Sequence, residues 1–79
     1  MLETTILERI VIDPNILVGK PIIKGTRLSV SHILKLFANG ETIEDILKEY
    51  PGLDNEDIRA CFLFANQTLE NSLYYPRVA

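Results

Sequence analysis

The sequence predicts a mainly α fold: a homeodomain-like trihelical core containing a helix-turn-helix, with a short β-ribbon before it. Three observations predict it. Residues 30–69 hold three apolar stripes at helical spacing, each bounded by capping residues and by Asn-Gly or Pro-Gly breaks. Residues 9–28 hold short β-branched pieces, broken by Gly and Pro. The chain is only 79 residues long and 47% hydrophobic, too small for two domains and too apolar for disorder. One domain over residues 1–79 is therefore expected, with a ribbon over 9–28, three helices over 29–71 and a C-terminal arm over 72–79.

Each element has a local reason. Residues 1–8 read as a loose arm. Residues 9–13, RIVID, read as a strand that Asp13-Pro14-Asn15 ends, because proline removes a donor and fixes φ. Gly25 supplies a positive φ in the next turn. Ser29 or Ser31 caps the first helix, whose stripe is Val30, Ile33, Leu34 and Phe37, and Gly40 suits the left-handed position after its end. Thr42 caps the second helix with Asp45 three residues on, and Ile43, Ile46, Leu47 and Tyr50 form its stripe. Asp54 caps the third, with Glu56 and Asp57 in its first turn. Its main stripe is Ile58, Cys61, Phe62, Ala65 and Leu69. Ala60, Leu63 and Phe64 widen it beyond one small core, which predicts a homodimer interface on those three residues.

Net charge is −3, from 8 basic and 11 acidic residues, but it is unevenly spread. Between Pro14 and Gly40 there are four cations and no acid. Lys20, Lys24, Arg27 and Lys35 are accordingly the candidates for contacting nucleic acid or an acidic partner. The third helix opens with Asp54, Asn55, Glu56 and Asp57, a poor surface to insert among phosphates. Ordinary major-groove reading through Asn55 and Arg59 is thus disfavoured. The arm carries Tyr74, Tyr75 and Arg77, which could offer an aromatic-flanked cation to a partner.

Catalysis finds little support. His32 is the sole histidine and reads as structural, Cys61 reads as a core residue, and one Cys with one His is too few for a Cys/His zinc site. The carboxylates sit where caps and polar helix faces need them, and no phosphate loop is present. The expectation is a non-enzyme without metal or cofactor. No apolar run approaches the ~20 residues of a membrane helix, and the N-terminus lacks a signal-peptide pattern, so a soluble cytoplasmic protein is expected.

The block from Gly19 to Leu28, GKPIIKGTRL, followed by Val30, Tyr50-Pro51-x-Leu53 and Asp57-Ile58-x-Ala60, resembles the family called domain of unknown function 433. The resemblance spans residues 9–66. It implies a helix-turn-helix fold and a VapB-like antitoxin role in a toxin-antitoxin system, neutralising a PIN-like ribonuclease and binding operator DNA. It carries no catalytic residues. The alternative is a stand-alone helix-turn-helix DNA-binding regulator. Family members often have two glycines before Lys-Pro, where this chain has Val18-Gly19.

Overall fold

A computed structural model describes residues 3–72. Among them are four α-helices and one two-stranded antiparallel hairpin. The order is α1 (Glu3–Leu7), β1 (Ile10–Ile12), β2 (Pro21–Ile23), α2 (Val30–Ala38), α3 (Ile43–Glu49) and α4 (Asn55–Glu70). The ribbon and three longer helices lie where the sequence places them. The segment read as a loose arm instead contains α1, which packs on α4 and buries Ile6 completely. A single fully buried isoleucine carries no periodicity, so the five-residue helix leaves no stripe to read.

The hairpin pairs Ile10 with Ile23, Val11 with Ile22 and Ile12 with Pro21. Ile22 and Ile23 are both buried, and Ile22 also bridges to Ser29, which ties the ribbon to the start of α2. Gly25 turns the chain between them at φ +80°. The Thr26 hydroxyl secures this loop, donating to the Ile23 carbonyl at 2.7 Å and accepting from the Leu28 N–H at 3.0 Å.

Between the strands the backbone makes an uncommon left-handed turn. Leu17, Val18 and Gly19 have φ of +50°, +57° and +77°. The turn is closed by the Gly19 N–H donating to the Ile16 carbonyl and the Lys20 N–H donating to that of Leu17. A branched side chain is disfavoured in this region, so Val18 holds a conformation that a glycine would adopt without strain.

The helix starts follow capping chemistry. Ser29, rather than Ser31, caps α2, its hydroxyl accepting from the His32 N–H at 2.9 Å. Thr42 with Asp45, and Asp54 with Asp57, form reciprocal capping boxes at α3 and α4. Gly40 follows α2 at φ +95°.

The core gathers Ile23, Val30, Ile33, Ile46, Leu53, Ile58 and Cys61. Burial forces the Cys61 thiol up to about 12, with the nearby Asp57 charge adding to the effect. Some stripe residues lie at its margin: Ile43 is exposed, Phe62 is 45% exposed and rests on the Phe37 ring, and Leu69 is 61% exposed. Ala60, expected at a subunit interface, is fully buried within the chain on the helix that α1 covers. Leu63 and Phe64 are half-buried.

Candidate functional site

Three of the four cations read from the sequence converge. Lys20 follows the left-handed turn, Arg27 sits on the loop that Thr26 secures, and Lys35 lies on α2. All three line one concavity of about 550 Å³, together with Leu17, Val18, Leu28, Ser29, Ser31 and His32. Among the described residues no carboxylate lines it. The start of α2 opens into the same hollow, and the partial positive charge of a helix N-terminus adds to that of the cations. Lys24, on the Gly25 turn, is exposed and does not line it. Val18, another lining residue, is 97% exposed.

His32 is engaged in the fold: its Nε2 lies 3.2 Å from the Tyr50 hydroxyl, which joins α2 to the end of α3. Among the described residues no three His, Cys, Asp or Glu side chains group as metal ligands. None of the described helices is long and apolar enough to cross a membrane.

The acidic start of α4 is occupied by structural work that sequence reading only half found. The Arg9 guanidinium donates to both Asp54 oxygens, at 3.0 and 3.2 Å, and to Asp57 Oδ1 at 3.0 Å. Asp54 is held below the usual carboxylate range, first by the hydrogen bond from the Asp57 N–H and then by Arg9. Arg9 lies 45 residues away in the chain, so no local pattern announces it. Asn55 and Arg59 are exposed on this helix, with Arg59 3.9 Å from Glu56. The arm residues Tyr74, Tyr75 and Arg77 lie outside the described residues.

This ribbon-and-helix framework defines a class that the chain shares with known proteins. The chain belongs to the DUF433 family, described as a protein of unknown function, whose model matches residues 10–65. A crystal structure of a DUF433 member from Anabaena variabilis superposes with a TM-score of 0.77 at 28% identity, covering 85% of this chain and 66% of that one. The protein y4eO of Sinorhizobium fredii is 38% identical over 53 residues, which is 67% of this chain. The matched region spans only 24% of y4eO, about a quarter of that relative's length.

Proposed function

We propose that this chain is an antitoxin-like binding protein that acts without catalysis, contacts DNA phosphates through Lys20, Arg27 and Lys35, and neutralises a PIN-like ribonuclease. The observation that carries the DNA part is the convergence of those three cations on a hollow with no carboxylate among its described lining residues, in a chain whose net charge is −3. Counterion release from DNA rewards such a cluster wherever the rest of the surface is neutral or acidic. The antitoxin part rests on the GKPIIKGTRL resemblance. The same reading takes α2, α3 and α4 as a homeodomain-like trihelical unit, with α3 and α4 as its helix-turn-helix, and the working species as a homodimer in the cytoplasm.

The competing reading is a stand-alone regulator that inserts α4 into the major groove. Asp54 and Asp57 oppose it, since both are committed to capping and to Arg9 at the end that would meet phosphate. Retention on a mixed-sequence DNA duplex, followed against salt, separates the two. Lys20→Glu with Arg27→Glu is expected to abolish retention and leave the circular dichroism unchanged. A single neutralising substitution, Arg27→Gln, is expected to lower the logarithmic salt slope by about 0.9, the value for one phosphate. Loss of retention on replacing Asn55 and Arg59 instead would establish the α4 reading. Co-expression with a PIN-like ribonuclease tests the other half, with restored growth expected and unrelieved toxicity counting against it.

A further inference from the structure

The cationic concavity adjoins a second hollow, and Lys20, Ser29 and Ser31 line both. The second hollow measures about 470 Å³ and lies between α2 and the end of α4, walled by Pro21, Val30, Leu34, Phe64, Ala65 and Leu69. At one end the two helices meet through Phe37 and Phe62, with ring centroids 5.0 Å apart. At the other, the apolar side chains face an unfilled space.

The sequence around this hollow has an unusual charge pattern. From Ala60 to Leu69, ACFLFANQTL, no residue is charged, although Phe62, Asn66, Gln67, Thr68 and Leu69 are all exposed. An exposed helix face ordinarily carries charge, whereas an apolar centre depleted of charge and rich in aromatic residues is the composition of an interface core.

We propose that a second copy of this chain covers the hollow, with the two α4 helices crossing near Ala65, and that the dimer sets the two Lys20/Arg27/Lys35 concavities side by side as one phosphate-binding surface. The dimer part stands on the hollow itself; the joint surface rests on the DNA reading above. Three properties select a second copy. The α4 side of this face, from Ala60 to Leu69, carries no charge, so two α4 helices meet there without the repulsion that acidic faces of a −3 chain would impose, and Lys20 stands alone among the lining residues as a cation. A two-fold interface must be self-complementary, and this face carries both the hollow and, on its wall, the 61% exposed Leu69. Ala65 is small enough to let two helices approach between Phe64 and Leu69. The shared lining residues then place each cationic concavity at the border of the interface, so that dimerisation doubles the cations available to one duplex.

Sedimentation velocity on the full chain tests this, using Leu69→Asp and Ala65→Glu. Leu69 is exposed, so its replacement leaves the monomer folded, as circular dichroism will show. Val18→Asp, at a residue that lines the cationic concavity and not the second hollow, serves as the control that keeps the dimer. The wild type is expected to sediment as a dimer and Leu69→Asp as a monomer, with retention on a mixed-sequence duplex falling at least about tenfold and its salt slope halved. A wild-type monomer at high micromolar concentration, or a dimer that survives both substitutions, overturns the proposal. A dimer that Leu69→Asp splits, in a protein that never retains DNA, sustains the interface and overturns the concavity reading and the joint surface. Equal DNA retention by dimer and monomer overturns the joint surface alone.

Discussion

Val18 is the residue whose local chemistry is most at odds with its backbone. It is β-branched, lies at φ +57° and gains no packing in return, the residue being 97% exposed. A left-handed conformation costs a non-glycine residue roughly 1–2 kcal/mol. Val18→Gly removes that strain but also loosens the unfolded chain, so a net gain of about 1 kcal/mol is expected. Thermal unfolding checks it, with an expected rise in Tm of about 4–8 °C in a domain this size. Cys61 shows the opposite case, a residue whose setting makes it inert. With its thiol pushed up to about 12 by burial, it is expected to ignore a disulfide reagent at about pH 8, where a free cysteine is substantially ionised, and to react at once in denaturant. The burial of Cys61 was legible in its place on the α4 stripe. The strain at Val18 was not, because φ is set by the closure of the hairpin loop and not by residue type.

Among the elements, α4 has a start that combines a cap with an ion pair, and the two can be separated. Asp54→Ala removes the acceptor for the Asp57 N–H and is expected to cost about 1 kcal/mol. Asp54→Asn keeps a capping oxygen and removes the charge facing Arg9, an exposed pair that water screens, so it is expected to cost little near neutral pH. The two also differ in acid. The folded state lowers the Asp54 pKa, so its contribution is complete above the ordinary carboxylate value of about 3.9 and is lost as pH falls through the lower folded value. Urea midpoints taken from about pH 6 down to about pH 2 should therefore fall less steeply for Asp54→Asn than for the wild type. The caps at Ser29, Thr42 and Asp54 were readable because a cap joins residues three apart. Arg9 was not readable, since its partners belong to the other end of the chain.

Across the molecule as one unit, the N-terminal helix changes what the rest of the surface can do. Ile6 and Ala60 are both fully buried, and α1 packs on α4. Ile6→Ala is expected to cost about 2–5 kcal/mol. Typical stabilities per residue give a chain of this length about 4–12 kcal/mol in total. A shift of that size in a urea melt would show that α1 belongs to the folded unit, and an unchanged midpoint would show that it does not. With Ala60 buried, the apolar surface still open on α4 runs over Phe62 and Leu69, with Leu63, Phe64 and Ala65 half-buried beside them.

Residue order was enough to set the ribbon, the boundaries of the three longer helices, their caps and most of the core, because each follows from residues a few positions apart. It also marked Lys20, Arg27 and Lys35 as cations free of acidic neighbours. Three other outcomes came from packing in space: these cations share a hollow while Lys24 stands apart, Arg9 holds the acidic end of α4, and α1 packs on α4 with Ile6 fully buried. They depend on which distant segments meet, and the angles at which helices and hairpin pack set that rather than any spacing along the chain.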